Sequence, residues 1–210
     1  MGRMTTPETT TATLPTRDDP NRRLRRLSLA AGGWALWYAA YRGYYALGGD
    51  AFLPGTIRAG SGTTFQLMNA AGAVVIAIAA VLPVAAYPLW RRRRARPVLL
   101  ALFWVGAVAG CMHALVDIAE RILSLAGLVE VHYPAMWATI DRRAADLQDL
   151  LFNEPWFLVT GLLFAAVAWT ALGPGRTRRR WVATAATAVA LLLALGLLTI
   201  GGVLGRAIVL

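Results

Sequence analysis

The sequence predicts an all-α protein, a polytopic bundle of about five transmembrane helices with one further amphipathic helix on the outer surface. Three observations predict it. The chain has 210 residues, 58% of them hydrophobic and only 15% charged, where a soluble domain carries about 25% charged residues. The apolar residues fall in runs long enough to cross the roughly 30 Å hydrocarbon layer. The basic residues fall in short blocks between those runs. This length allows one domain and little more.

Residues 1–26 are predicted as a disordered cytoplasmic tail. They are rich in Thr, Pro and Asp, lack apolar periodicity, and end in Arg22-Arg23-Leu24-Arg25-Arg26. The bundle is expected over 27–210. Span one covers about 27–48. A cleaved signal peptide ending near Ala46 and Gly48 is its rival, disfavoured because the run is long and aromatic-rich and more hydrophobic spans follow. Span two covers about 64–90, with Pro83 and Pro88 near its end. Span three, about 97–117, follows the block Arg91 to Arg96. Span four covers about 155–172, and span five, about 181–204, follows Arg176 to Arg180.

Between spans three and four, Met136, Trp137, Ile140, Ala144, Leu147 and Leu151 recur at three- and four-residue steps, with Asp141, Arg142, Asp146 and Asp149 on other faces. That periodicity predicts an amphipathic helix over about 134–152, on the outer membrane surface or capping the bundle.

Orientation follows from the Arg residues. All 21 basic residues are Arg, and 15 of them lie before span one, at 91–96 or at 176–180. Five crossings put these three segments on one side, which the positive-inside rule makes the cytoplasm. Eight of the 11 acidic residues lie at or beyond the opposite ends. The N-terminus is therefore expected inside and the C-terminus outside, and Trp90, Trp156 and Trp181 stand at span ends as interfacial anchors. The Arg-only, Ala- and Gly-rich composition points to a high-GC bacterial genome and hence to the inner membrane. The net charge of +10 is explained by orientation, not by nucleic-acid binding, because no soluble basic domain is present. Cys111 is the only cysteine, so no intrachain disulfide or two-cysteine redox motif exists.

Polar groups gather at the outer ends of the spans. Arg42 and Tyr45 come from span one, Asn69 from span two, His113, Asp117 and Glu120 from span three, and Glu154 from span four. Ionisable groups at mid-membrane cost about 2.5–3.5 kcal/mol each on insertion scales, so they mark a pairing or a function. These seven are the candidate ligand-binding residues. On span three, Gly106, Gly110, His113, Asp117 and Glu120 share one helical stripe. The two glycines allow a neighbouring helix to approach closely, and Gly201 and Gly205 form a second such pair on span five. Arg42 is expected to pair with Asp117 or Glu120, or with Glu154. His113 and Asp117, one turn apart, have a spacing used in metal ligation or in a proton relay. A metal site would need His132 as well, so no metal ligand, cofactor or catalytic residue is assigned. The aromatic run from Trp34 to Tyr45 is read as packing.

Two stretches carry a resemblance. Tyr41-Arg42-Gly43-Tyr44-Tyr45-Ala46-Leu47-Gly48-Gly49 ends span one, and Phe152-Asn153-Glu154-Pro155-Trp156-Phe157-Leu158 starts span four. Both are similar to stretches in an uncharacterised family of small bacterial multi-pass membrane proteins. The resemblance extends from span one to span four. It implies a membrane bundle and no known activity, and it adds weight to Arg42 and Glu154.

The expected function is that of a non-enzymatic accessory or small-ligand-binding membrane protein with an outward-facing polar cluster. The alternative is a small transporter or intramembrane enzyme using Arg42, His113, Asp117 and Glu120. The expected partner is the lipid bilayer, with a homo-oligomer or a membrane partner subunit left open and nucleic acid excluded.

Overall fold

The computed structural model describes residues 19–202. Helix α1 spans Pro20–Ala46, α2 Gly62–Ala86, α3 Arg96–Leu125, α4 Arg142–Gln148, α5 Glu154–Leu172 and α6 Arg176–Ile200. A two-stranded antiparallel sheet pairs β1 (Gly55–Ile57) with β2 (Trp137–Ile140). A 3₁₀ turn over Tyr87–Arg91 prolongs α2, and a π-helical turn over Asp149–Asn153 joins α4 to α5. Four helices, 62–91, 96–125, 142–172 and 176–200, are long and apolar enough to cross a membrane.

Several expected boundaries move. Helix α1 starts at Pro20, so residues 20–26 are helical and not part of a disordered tail; residues 1–18 lie outside the described residues. Two start signals explain the shift. Asp19 accepts the Asn21 amide at 3.0 Å as the N-cap, and proline occupies the first turn. Helix α3 runs two turns past the expected end of span three. Helix α6 starts with the Arg block and ends at Ile200, and residues 203–210, Gly205 among them, lie outside the described residues.

The expected amphipathic helix over 134–152 is not one helix. Trp137–Ile140 is extended and pairs with β1. The helix begins only after Asp141, whose carboxylate accepts the Ala144 amide at 3.0 Å as its N-cap. From there α4, the π-helical turn and α5 form one continuous 31-residue helix. The apolar steps from Met136 to Ile140 satisfied a helical period, but Trp, Thr and Ile are strand-favouring, and a partner strand far away in the chain claims them.

Helix α1 packs along α2, while α3 packs against α5 on one side and α6 on another. The approach of α3 to α5 is close because glycines meet there. A Cβ on Gly110 would lie 3.0 Å from the Gly161 backbone, and one on Gly161 would lie 2.7 Å from the Cys111 amide nitrogen. The stripe that bears Gly106 and Gly110 therefore faces α5. Helix α6 has no fully buried residue. It is held to α3 by Trp181 Nε1 donating to the Leu100 carbonyl (3.0 Å) and by Trp104 Nε1 donating to Thr184 Oγ1 (3.2 Å).

The three Arg-bearing segments meet at one end. Leu24 and Trp90 share one core cluster with Phe103 and Phe164. Arg96 donates to the Ala171 carbonyl at 3.4 Å, and the Arg178 guanidinium lies 3.9 Å from the centre of the Trp169 ring. The sheet, α4, and the ends of α1, α2, α3 and α5 that carry Tyr45, Asn69, Asp117 and Glu154 form the other end.

Candidate functional site

At this second end the π-helical turn is the organising feature. It takes α4 into α5 with one wide turn, and such turns insert a residue that re-aims the side chains around it. Glu154 opens α5 directly after it.

Glu154 meets the polar stripe of α3. His113 Nε2 lies 3.4 Å from Asp117 Oδ2 and 3.8 Å from Glu154 Oε2. One oxygen or nitrogen from each residue falls within 4.8 Å of the others. The Glu154 side chain is only 5% exposed, whereas those of Asp117 and His113 are 25% and 41% exposed. The three thus line a path from the bundle interior outward. The His113 ring is steadied edge-on by Phe157, with centroids 4.3 Å apart. Among the described residues no hydrogen bond joins any of these three side chains to another group, and Glu154 Oε2 is buried without a hydrogen-bond partner.

Other expected members do not join. Glu120 lies beyond the cluster on the same stripe and makes no ion pair or hydrogen bond among the described residues. Arg42 makes no ion pair with Asp117, Glu120 or Glu154, which corrects the expected pairing. Its guanidinium lies instead against α2, where a Cβ on Gly72 would come 3.3 Å from Nε. The missing side chain of Gly72 makes that space. Tyr45 and Asn69 also face the seam between α1 and α2. The Tyr45 ring meets Phe65 at 5.9 Å, and the Asn69 amide nitrogen donates to the Phe65 carbonyl at 2.9 Å. Tyr45 is tied to the loop by donating to the Ala51 carbonyl at 2.9 Å. Six of the seven candidates therefore divide between two places, and Glu120 belongs to neither.

A cation that does pair with a buried carboxylate is Arg121. It lies 3.2 Å from Asp146 Oδ1 and 3.1 Å from Asp149 Oδ2. Asp146 also accepts from Ser124 (2.6 Å) and from Tyr133 (2.8 Å). The network continues as Asn153 donates to Asp149 (2.7 Å) and Tyr38 donates to Asn153 (2.9 Å). A groove of about 550 Å³ lies beside it, lined by Tyr133, Arg142 and Asp146 among others, and not over the His113 cluster. Tyr133 lies in a loop outside the four helices long and apolar enough to cross a membrane. Burial, with help from its bond to Asp146, raises its phenol above the ordinary value.

Sequence reasoning missed this network because Asp146 and Asp149 were placed on the polar face of a surface helix. One signal was present. Asp141 is a helix cap, and counting helical turns from it carries Asp149, Asn153 and Glu154 into the bundle.

The aromatic run of α1 packs as expected, against α5 and the turn before it. Tyr38 stacks on Trp156 with centroids 4.1 Å apart. Trp34 and Trp156 each donate an indole N–H to the other's carbonyl at 3.1 Å.

A carboxylate buried beside an imidazole and a second carboxylate, all without hydrogen bonds, can accept a proton or coordinate a cation. No protein-family model matches the chain, and no curated protein or solved structure matches it either.

Proposed function

We propose that this chain is a multi-pass bacterial inner-membrane protein that binds a small ligand from the extracytoplasmic side at His113, Asp117 and Glu154. The carrying observation is Glu154, a buried carboxylate whose Oε2 has no hydrogen-bond partner and which faces the half-open His113. An acidic group left so in an apolar bundle is costly, and a site that receives a ligand explains its retention.

The depth supports an outward site. Along α3 at 1.5 Å per residue, His113 stands about 25 Å and Asp117 about 31 Å from Arg96. With Arg96 at the cytoplasmic boundary, both fall near the outer edge of a roughly 30 Å hydrocarbon layer. Five crossings fit the gathering of the Arg blocks at one end, with α1 as the fifth span packed lengthwise on α2. The role is binding, as an accessory subunit or small receptor, since no nucleophile stands beside His113 among the described residues.

The test is a cysteine placed at position 113 in a Cys111→Ala background, probed on intact spheroplasts with a membrane-impermeant thiol reagent. Labelling from outside is the expected result. A variant that is present in the membrane but labelled only from the cytoplasmic side, or not at all, overturns the reading.

A further inference from the structure

We infer that His113, Asp117 and Glu154 form a binding site for a first-row divalent cation such as Mn²⁺ or Zn²⁺, a proposal that rests on the outward ligand site described above.

Three independent observations carry it. The first is the donor set, one imidazole nitrogen and two carboxylates. Imidazole suits zinc and iron, while carboxylate oxygen suits manganese and magnesium, so the mixture selects borderline divalent ions. The second is spacing. With metal–ligand bonds of about 2.0–2.1 Å, two donors of a tetrahedral site stand about 3.3 Å apart. His113 Nε2 and Asp117 Oδ2 are already 3.4 Å apart, and Glu154 Oε2 is 3.8 Å from the same nitrogen. The i,i+4 spacing on α3 supplies the first pair without any loop, and the start of α5 supplies the third donor.

The third observation is that Glu154, 3% exposed overall, aims Oε2 into this cluster and finds no hydrogen-bond donor there. Nor does an arginine pair with it directly among the described residues. Arg121 is held by Asp146 and Asp149, and Arg42 lies against Gly72 of α2. Neither carboxylate thus makes a direct ion pair with an arginine among the described residues, and a divalent ion supplies the missing contact. Three protein donors leave further coordination positions open, and the half-exposed His113 marks the side on which they lie. The absence of His132 from the cluster is no obstacle, because α5 provides the donor that the loop does not.

The test uses the full-length protein in detergent, stripped with chelator and exchanged into metal-free buffer. Mn²⁺ and Zn²⁺ are titrated by calorimetry, and Co²⁺ is followed by its visible absorption as a spectroscopic stand-in. One saturable equivalent per chain is expected, weakened at least tenfold in Glu154→Gln and in His113→Gln. It should be unchanged in Asp50→Asn, which alters an exposed carboxylate outside the cluster. Helical circular dichroism and the elution volume of each variant show that it is folded. His113 lies partly at the surface, so its variant keeps the question answerable if Glu154→Gln is unstable. No saturable binding, or binding indifferent to both variants, overturns the inference. If position 113 still labels from outside, the ligand site stands without its metal. If it does not label, both readings fall.

Discussion

Replacing Arg121 by Met is the most informative perturbation of the polar end of the bundle. Arg121 is 8% exposed and its partner Asp146 2% exposed, so neither finds much water when the other is removed. Breaking a buried pair by deleting one partner costs about 3–5 kcal/mol, because the remaining charge is stranded. Two details place this case at the lower end. Asp146 keeps its bonds from Ser124 and Tyr133. Asp149, with a 23% exposed side chain, keeps both Asn153 and some solvent. A loss of about 3 kcal/mol corresponds to a fall in melting temperature of roughly 6–12 °C for a chain of this size. The assay is thermal unfolding in detergent of Arg121→Met, Asp146→Asn and the double variant. Since the two residues touch, the double variant should be more stable than the sum of the single losses predicts, by about 1 kcal/mol or more. A shift below about 2 °C for Arg121→Met, or strictly additive losses, would refute the reasoning and leave the network energetically idle.

Three further outcomes are expected. Gly161→Leu should part α3 from α5, because even a Cβ there would lie 2.7 Å from backbone nitrogen; overpacking of this kind costs about 1–3 kcal/mol, and a variant that melts with the parent would contradict the close approach. Tyr133 keeps its proton in the folded state at a pH where the unfolded chain, with a phenol value of about 10, has lost it. Its contribution is therefore complete below about pH 10 and disappears as the pH rises further. Tyr133→Phe should lower stability by about 1–2 kcal/mol near neutrality and flatten the alkaline decline, so parallel melting curves from pH 7 to pH 11 would be inconsistent with that account. Reporter fusions after Arg96 and Arg180 should signal cytoplasm, and those near Ala138 and after Leu210 should signal the outside; a cytoplasmic C-terminus would exclude five crossings.

The sequence alone determined the apolar helices and the end on which the Arg blocks gather. A chain in lipid must satisfy its backbone hydrogen bonds internally, so long apolar runs have helices as their outcome whatever their neighbours. It also determined that the Gly106 and Gly110 face of α3 would be a packing face, because small residues permit what larger ones forbid. What only the tertiary structure decided was which polar groups meet. Arg42 and Glu154 lie at the same end, yet α1 turns Arg42 toward the gap at Gly72, while the π-helical turn swings Glu154 onto His113 and Asp117. Trp137–Ile140 fits a helical period as a string of letters, but pairing with Gly55–Ile57 makes it a strand. Both outcomes depend on rotations and pairings between segments dozens of residues apart. Local periodicity fixes the face a helix presents but not the neighbour that will stand opposite it.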